Sequence, residues 1–498
     1  MKSHKMQSPG DSSSTEKSPL LRAFGANNND PESNSVPENG VCPPHRPSVG
    51  YLGSLSIVAN TLTGPGMLAL PATYQLAGFI PTTVAIVVVC TLCAFCALNL
   101  ANVISKAPGN SNFERELEYS ETFRIFWGHK WFIMTQIAFF ICILCQTVAS
   151  IVDTAQVVDE FMGTKGTNGW GVRLYPRPVE FIEWDSGVCL QHTDTDFGID
   201  NRDDDTIRGG CDPFSDQPEG AFIITLGYLL SALAFLPLGL MDLKENAAWQ
   251  IFGFLFLLAV SVQFIFVFIQ QGLSFGNLSL WGSTWGHLFG IVLFNFTAVT
   301  TVPSLLYEKA PSVGVPHVIH TASILSAVLY IVVGALGAMA IPNVSENMLS
   351  SMIAGAFGTT TQIGASLFAF VIIGLGIPLF SVLMRLNLVG SGLCSQKTGN
   401  FFAVYLPWAL SWTLYFGESV KELLSWGGLL FISLVVFLFP LMIALHNVIQ
   451  SDVTGSVDVW LGLVKSRRGE RIALSCLLVF ATLSVVFAIF GQLASEFQ

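Results

Sequence analysis

The chain has 498 residues, of which 52% are hydrophobic and 11% are charged, and its formal net charge is −11. A soluble domain usually carries about a quarter charged residues, so this composition excludes a soluble protein and indicates an integral membrane protein. The negative charge comes largely from residues 162–219, with twelve Asp and Glu against five Lys and Arg, and it does not indicate a nucleic-acid partner.

The first 48 residues are polar and rich in Ser, Pro, Asn and Glu, which predicts a disordered cytosolic tail without a cleavable signal peptide. Within this tail, Glu16, Leu20 and Leu21 match an acidic dileucine sorting signal, an address that sorting adaptors read. The signal favours an endolysosomal or vacuolar membrane, and the plasma membrane is the alternative.

Apolar windows of about 20 residues predict an all-α membrane domain of eleven transmembrane helices over residues 49–496. The ninth window is the least regular because it is short and contains Pro407. The windows lie at residues 50–78, 83–104, 131–161, 220–240, 247–271, 284–307, 316–341, 361–387, 399–416, 425–447 and 471–494.

The distribution of Lys and Arg predicts a cytosolic N-terminus. With that orientation, the short cytosolic connections contain twelve basic residues and the short outer connections contain one, Lys421. The acidic segment 162–219 then forms a non-cytosolic loop between the third and fourth spans. The odd number of spans places the C-terminus on the same side as that loop.

The outer segments contain features of an oxidising, glycosylating compartment. Cys189 and Cys211 lie in the acidic loop, where we expect a disulfide bond. The sequons at Asn277 and Asn343 lie in outer loops, where glycosylation is chemically feasible. A third sequon, at Asn295, lies inside a span and should remain unmodified.

Closely spaced cysteines in the second and third spans raise the question of a metal site. Cys90, Cys93 and Cys96 follow a C-x2-C-x2-C pattern, and Cys142 and Cys145 repeat the interval. A metal site needs polar groups that orient its ligands, whereas these residues lie in apolar helices where a free Cys behaves as a small hydrophobic residue. We therefore expect packing and no metal.

The first span contains a Gly-Pro-Gly sequence at residues 64–66. Pro65 removes a backbone donor, and the two glycines relax the backbone conformation. Unpaired backbone groups at membrane depth are costly unless they are buried in protein or line a polar cavity. The sequence therefore predicts an interrupted helix, with a simple proline kink as the alternative.

The sixth span, "HLFGIVLFNFTAVTTVPSLLYEKAP", contains a second interruption signal. Polar residues Asn295, Thr297, Thr300 and Thr301 lie at its centre and Pro303 follows them. The first and sixth spans occupy corresponding positions in two halves of five spans, as in transporters built from inverted repeats. Paired interruptions favour discontinuous helices over two unrelated kinks.

Two broken helices without charged side chains indicate the chemistry of a ligand. Half-helix N-termini present free N–H groups that suit a carboxylate, and half-helix C-termini present free carbonyls that suit an ammonium group. A site with both kinds of group fits a zwitterion such as an amino acid.

At this point the sequence resembles a known family. The first span contains N-x3-G-x-G-x-L-x-L-P over residues 60–71, followed by Gly78. This motif is similar to the first helix of the amino acid/auxin permease family, within the amino acid–polyamine–organocation superfamily. The segments "VPSLLYEKAP", "GGLLFISLVVFLFP" and "EYSETFRIFWG" extend the resemblance over roughly residues 48–495.

The resemblance implies a LeuT-like fold of eleven helices with a five-plus-five inverted repeat, and alternating access. It also implies that the first break binds the substrate carboxylate and the second binds the amino group and lines the side-chain pocket. Pro65 has no N–H, which leaves Gly66 and Met67 as the expected carboxylate donors. The implied substrate-binding residues are Asn60, Thr63, Gly64, Gly66, Met67, Phe294, Asn295, Phe296, Thr297 and Ala298.

The coupling ion is less clearly indicated. In sodium-coupled members of the superfamily, one ion lies between the first break and hydroxyl groups midway along span eight, where this chain offers Ser381 alone. Proton coupling is therefore favoured, and sodium is the alternative. Asp153 is the candidate titrating group, although it is equally compatible with a position at the water interface.

These observations predict a proton-coupled transporter of amino acids, with neutral substrates favoured and no cofactor. A sodium-coupled transporter is one alternative, and an amino-acid sensor that signals through the N-terminal tail is another. The expected partners are the lipid bilayer, an amino acid substrate and sorting adaptors. The spans contain neither a catalytic triad nor paired aspartates, so an enzyme is not expected.

Overall fold

A computed structural model describes residues 49–164, 168–184, 213–214, 217, 221–286, 288–344, 347–354, 357–415, 426–450, 455–459 and 466–496. Glu16, Leu20 and Leu21 lie outside these residues, as do Cys189 and Cys211. The sorting signal and the disulfide bond therefore remain predictions from sequence.

Within the described residues, the first half of the molecule contains seven helices and three strands. Its first span is divided into α1 and α2, and α4 is a short helix between the second and third spans. The bounds are α1 Tyr51–Leu62, α2 Leu70–Ala77, α3 Phe79–Ser105, α4 Tyr119–Trp127, α5 His129–Thr164, β1 Gly169–Tyr175, β2 Glu180–Trp184, β3 Phe222–Thr225, α6 Leu226–Gly239 and α7 Leu243–Gln271.

The second half repeats the pattern with a divided sixth span, α8 and α9. Its helices are α8 Leu288–Asn295, α9 Val302–Glu308, α10 Val315–Ala340, the short α11 Met348–Ala354 and α12 Thr359–Gly390. The ninth span, α13, begins as Gln396–Asn400, continues as a π-helix over Phe401–Tyr405 and ends as Leu406–Thr413. The tenth, α14, is a π-helix over Gly428–Leu438 and an α-helix over Phe439–Gln450, and the eleventh, α15, spans Arg467–Glu496.

Among the described residues, eight helices are long and apolar enough to cross a membrane. Of the remaining spans, α1 ends at the first break after 12 residues, α6 has 14 residues, and α13 is an irregular helix with a π-helical segment. All eleven predicted spans therefore correspond to helical segments. The expected weakness of the ninth agrees with its irregular helix.

The two ends of the bundle are distinguished by their contacts. We call the end that contains Val49 the N-side and the opposite end the hairpin side. On the N-side, the Val49 N–H donates to the Glu308 carbonyl at 3.0 Å. On the hairpin side, Gly78 connects α2 to α3 with a φ of 93°, and a Cβ at this position would lie 2.4 Å from the Gly282 nitrogen. Only glycine fits that turn.

The hairpin side contains a small antiparallel sheet of order β2-β1-β3. Trp184 and Phe214 are buried beneath it in a separate apolar cluster with Ile182, Ala221 and Ile223. The connection predicted at residues 162–219 contains β1 and β2 in its described part. The fourth span was predicted to begin at residue 220, but residues 222–225 pair with β1 and the helix begins at Leu226.

Candidate functional site

The first and sixth spans are both discontinuous near the middle of the bundle. The first break covers residues 63–69, with a 3-10 turn at Pro65–Met67, and the second covers residues 296–301, with a 3-10 turn at Ala298–Thr300. Pro71 and Pro303 lie in the first turns of α2 and α9, where a missing N–H costs nothing. The predicted helix interruptions are confirmed.

The two breaks pack directly against each other at Gly66 and Asn295. A Cβ added at Gly66 would lie 2.7 Å from the Asn295 amide nitrogen, so glycine is required for this approach. The Asn295 amide nitrogen donates to the Ile291 carbonyl at 2.9 Å, and its oxygen accepts from the Tyr330 hydroxyl at 3.1 Å. Asn295 thus ends α8 and joins it to α10.

A threonine hydroxyl provides the second link between the breaks. Thr297 Oγ1 donates to the Thr61 carbonyl at 3.0 Å, which satisfies one of the last carbonyls of α1. Thr63 Oγ1 donates back to the Ala59 carbonyl at 2.9 Å. Thr63 and Thr297 are among the implied substrate-binding residues, and their hydroxyls stabilise the ends of the broken helices.

The main-chain donors differ from the expected set. The Met67 N–H donates to the Gly64 carbonyl at 3.1 Å, so it is engaged within the 3-10 turn. Within the described residues, the N–H groups of Gly64 and Gly66 donate to no acceptor. A Cβ at Gly64 would meet no atom within 4 Å, so open space borders the break at this residue.

Carbonyl groups are left unpaired at both breaks. In the part of the chain that the structure describes, no donor reaches the carbonyls of Leu62 and Thr63 at the first break, or those of Phe294 and Asn295 at the second. Residues 58–69 and 294–301 contain no charged side chain. The site therefore offers main-chain donors and acceptors without an opposing fixed charge.

The other predicted residues of the second break are buried in its wall. Phe294, Phe296 and Ala298 are all buried, and the Phe296 ring meets Tyr330 edge-on at 5.5 Å between centroids. The Cys93 thiol donates to the Phe296 carbonyl at 3.3 Å. The neighbouring thiols of Cys90 and Cys96 also donate to main-chain carbonyls, of Ser323 and Phe437. These thiols pack and bond between helices.

A buried glutamine on α5 was not among the predicted ligands. Gln146 is 1% exposed, and neither its amide nitrogen nor its amide oxygen has a partner among the described residues. Its neighbour Cys145 lies against Gly427, directly before α14. Ser150, also without a partner among the described residues, lies 4.0 Å from a Cβ position at Gly376 of α12.

The helical repeat orients Gln146. Successive residues of a helix are separated by about 100°, so Gln146 lies between the directions of Cys145 and Ser150, toward the interior between α14 and α12. The same helix contacts the 3-10 turn of the first break. Its position at the centre of a helix that spans His129–Gly163 also places it at mid-depth. The sequence alone could not show that this amide is buried and has no hydrogen-bond partner among the described residues.

Asn60 is directed away from the second break. Its amide nitrogen donates to the main-chain carbonyl and the side-chain oxygen of Gln250 on α7, both at 2.8 Å. The Gln250 amide nitrogen in turn donates to Asn246 at 2.8 Å and to the Leu375 carbonyl of α12 at 3.0 Å. These amides join α1, α7 and α12, on the side of the first span that faces span eight.

The two coupling candidates occupy different surroundings. Asp153 is half-buried on α5, and Ser381 is buried with its hydroxyl 3.6 Å from a Cβ position at Gly239 of α6. A carboxylate that sequence reasoning missed, Asp159, accepts from the Gly227 N–H at 2.7 Å and from the Tyr415 hydroxyl at 2.6 Å. Asp159 joins α5 to the start of α6 and the end of α13.

The two predicted glycosylation sites lie on the hairpin side. Asn343 is exposed with a φ of 48°. Asn277 is half-buried, and its amide nitrogen donates to the Met339 carbonyl at 3.2 Å. Modification at Asn277 would therefore require loss of that hydrogen bond, whereas Asn343 is accessible.

Both ends of the broken spans are bonded to their surroundings. On the hairpin side, the Met348 N–H at the start of α11 donates to the Leu68 carbonyl at 3.1 Å. On the N-side, the Ala310 N–H donates to the Val49 carbonyl at 2.8 Å. Main-chain hydrogen bonds thus hold the first break on the hairpin side and the ends of the first and sixth spans on the N-side.

Comparisons with known proteins agree with this geometry. The sequence model of the tryptophan/tyrosine permease family matches residues 48–182. The crystal structure of MhsT in complex with L-phenylalanine superposes with a TM-score of 0.59 at 11% sequence identity, over 90% of this chain and 99% of that chain. No curated protein sequence matches the chain.

The chain is therefore a multi-pass helical membrane protein with the LeuT-like fold, in which the first and sixth spans are discontinuous. Its first part, which includes the first break, resembles the permease family named above. The expected LeuT-like fold is confirmed.

Proposed function

We propose that the protein is a secondary active transporter of amino acids that works by alternating access, with neutral amino acids as its substrates. The observation that carries the proposal is the pair of breaks with unpaired N–H groups and unpaired carbonyls at one place in the bundle. An amino acid has one group for each: its carboxylate accepts from N–H groups, and its ammonium donates to carbonyls. The absence of a charged side chain from both breaks favours a substrate without net charge.

The carboxylate would accept from Gly64 and Gly66, whose N–H groups are unpaired among the described residues, and the open space beside Gly64 would receive it. The ammonium would donate to the carbonyls of Phe294 and Asn295. This assignment removes Met67 from the expected donors. The main chain of residues 63–66 and residues 294–298 otherwise keep the roles that the resemblance implied, whereas Asn60 is bonded to Gln250.

Gln146 would complete the site from α5. A buried amide without a partner is costly, and a bound ligand that hydrogen-bonds it would recover that cost. MhsT is crystallised with L-phenylalanine, and the matching family is named for tryptophan and tyrosine permeases. We therefore take aromatic amino acids as the first substrates to test.

Proton coupling is favoured over sodium coupling. The Gln250 amide nitrogen donates to the Leu375 carbonyl in the middle of span eight, and the Asn60 amide nitrogen donates to Gln250. The Leu375 carbonyl therefore already has a hydrogen-bond donor, which makes it less suited to bind a sodium ion. Ser381 faces α6 at Gly239 rather than the first break. Asp153 remains the candidate titrating group within the spans.

The remaining sequence predictions complete the proposal. The N-side would face the cytosol, as the basic residues indicate, and the hairpin side would face the outer or luminal compartment. Glu16, Leu20 and Leu21 would direct the protein to an endolysosomal or vacuolar membrane through sorting adaptors. Membership of the amino acid/auxin permease family remains a proposal on the motif of residues 60–71.

The test is uptake of labelled phenylalanine, tyrosine, tryptophan and smaller neutral amino acids into proteoliposomes that contain the purified protein. We expect an imposed pH gradient to drive accumulation without sodium, and protein-free liposomes to show none. Accumulation driven by sodium alone would contradict proton coupling. No flux of any amino acid, with or without a gradient, would contradict the transporter.

A further inference from the structure

A carboxylate outside the spans makes direct contact with the divided sixth span. Glu118 directly precedes α4, between the second and third spans, and occupies the N-cap position of that helix. An N-cap side chain usually accepts from the first turn of its own helix. The Glu118 side chain makes no such bond and extends to another element.

That element is α9, the N-side half of the sixth span. Ser304 Oγ donates to the Glu118 carboxylate at 2.9 Å from Oε2 and 3.2 Å from Oε1. Glu118 is 3% exposed, although it lies at the end of the bundle. Gly390 of α12 makes room for it, because a Cβ there would lie 3.1 Å from Glu118 Cγ.

The charged groups that act on this carboxylate are all acidic. They are Glu116 from its own loop, Glu121 from α4 and Glu308 from α9, while α12 contributes Gly390. Tyr307 of α9 is the other titratable group beside Glu116 and Glu308. Two basic groups of this region contact other partners: Arg124 pairs with Glu121 at 2.6 Å, and Lys309 lies over the Phe113 ring.

Burial and the three neighbouring carboxylates favour the neutral form of Glu118. Burial is the larger effect, and together they raise its pKa from the ordinary 4.5 to about 8, against the opposing hydrogen bond from Ser304. A carboxyl in this environment holds a proton at neutral pH for as long as α9 stays in place.

We propose that Glu118 and Ser304 form a proton-binding site on the N-side that keeps the inner half of the sixth span closed. The ligand of this site is a proton from the N-side solution. Its binding stabilises the closed state, because Ser304 lies on α9, the helix that must move for the breaks to open. The inference rests on the proposed function only in taking this movement as the cytosolic gate of a transporter.

The sign of the pH effect follows from linkage. When α9 moves away, water reaches Glu118 and its pKa returns toward the ordinary 4.5, so opening releases a proton between pH 4.5 and about 8. Within that range the ratio of open to closed molecules rises up to tenfold for each unit of pH. Above about pH 8 both states are deprotonated and the dependence ends.

The experiment measures gate opening without transport. Val49 is buried beside α9, and its neighbour Gly50 is exposed, so Val49→Cys reports opening and Gly50→Cys corrects for the intrinsic pH dependence of thiol reactivity. Full-length protein in nanodiscs, with the other exposed cysteines replaced by serine, is labelled with a maleimide at pH 6.5, 7.5, 8.5 and 9.5. Mass spectrometry reads the label on each peptide.

We expect the ratio of labelling at position 49 to that at position 50 to rise up to about tenfold from pH 6.5 to 7.5, and to level off above pH 8.5. Glu118→Gln should hold the ratio at its low value, within about twofold, at every pH. The control Glu121→Gln removes a neighbouring carboxylate that pairs with Arg124. The rise with pH should remain, and the level region should begin at a slightly lower pH, because Glu121 is one of the carboxylates that raise the Glu118 pKa.

Ser304→Ala provides a second variant that keeps the carboxyl. Loss of the donor disfavours the ionised form, so the level region should begin at a higher pH than in the wild type. A wild-type slope in Glu118→Gln, or no slope in the wild-type protein, would overturn the proposal. Since the labelling requires no substrate, an absence of amino acid flux would contradict the proposed function and leave this result standing.

Discussion

Gly66 shows how a single missing side chain brings the two breaks together. Its backbone packs against the side chain of Asn295, which is itself held by the Ile291 carbonyl and the Tyr330 hydroxyl. The same residue leaves its N–H group without a partner among the described residues. One residue therefore sets the contact between the two broken helices and supplies a proposed ligand donor.

Replacing Gly66 by valine should abolish uptake. The new Cβ would lie 2.7 Å from the Asn295 amide nitrogen, so Asn295 must move and lose its two hydrogen bonds. We expect the uptake rate in proteoliposomes to fall at least about 100-fold, or about 3 kcal/mol of transition-state stabilisation. Gly491→Val on α15, where a Cβ meets no atom within 4 Å, is the control. Wild-type uptake by Gly66→Val would refute the assignment.

Gln146→Leu should separate stability from substrate binding. Removal of an orphaned buried amide should raise the free energy of unfolding of the substrate-free protein by about 1 kcal/mol. If that amide binds the substrate, KM should rise about tenfold, which corresponds to about 1.4 kcal/mol. Thermal denaturation and uptake kinetics on the same preparations measure the two effects.

Gln136 offers a matched control for this substitution. It lies on the same helix, ten residues earlier, and its buried amide also has no partner within the described part of the chain. Ten residues of helix separate it from Gln146 by about 15 Å, outside the reach of the same ligand. Gln136→Leu should therefore stabilise the protein without changing KM. An unchanged KM in Gln146→Leu would exclude Gln146 from the site.

Among the elements, the broken helices were predictable because their causes are local. Pro65 between two glycines and Pro303 after a polar run change the backbone wherever the chain folds, and both breaks occur there. Burial determines the spans, so apolar windows found all eleven. The β-sheet was missed because its strands are short, two of them lie within the acidic segment 162–219, and pairing with β3 joins residues about 50 positions apart.

The direction of side chains depends on packing that a motif does not contain. Asn60 belongs to the motif of the first span, yet it bonds to Gln250 on α7, 190 residues away. Met67 was an expected donor, but a local turn engages its N–H. The roles proposed for Glu118 and Gln146 depend on their burial and on the residues around them, which the sequence does not show. Sequence therefore locates the site by its breaks, whereas the individual contacts require the three-dimensional structure.

At the scale of the whole molecule, main-chain hydrogen bonds hold the broken spans on both sides of the breaks. On the hairpin side α11 bonds to the Leu68 carbonyl, and on the N-side residue 49 bonds to residues 308 and 310. A molecule that transports by alternating access must break one set while it keeps the other. A covalent bond across one end should therefore stop the cycle.

Cysteines at Val49 and Lys309 should test this requirement reversibly. The two residues form an isolated parallel bridge, whose spacing of about 4.8 Å lies within the range of Cα separations in disulfide bonds. We expect oxidation of Val49→Cys/Lys309→Cys to reduce uptake at least about tenfold and a reductant to restore it. Each single variant should be insensitive to oxidation. The disulfide would hold α1 and α9 together throughout the cycle. Full uptake by a double variant that mass spectrometry shows to be cross-linked would therefore mean that the N-side does not open at these residues.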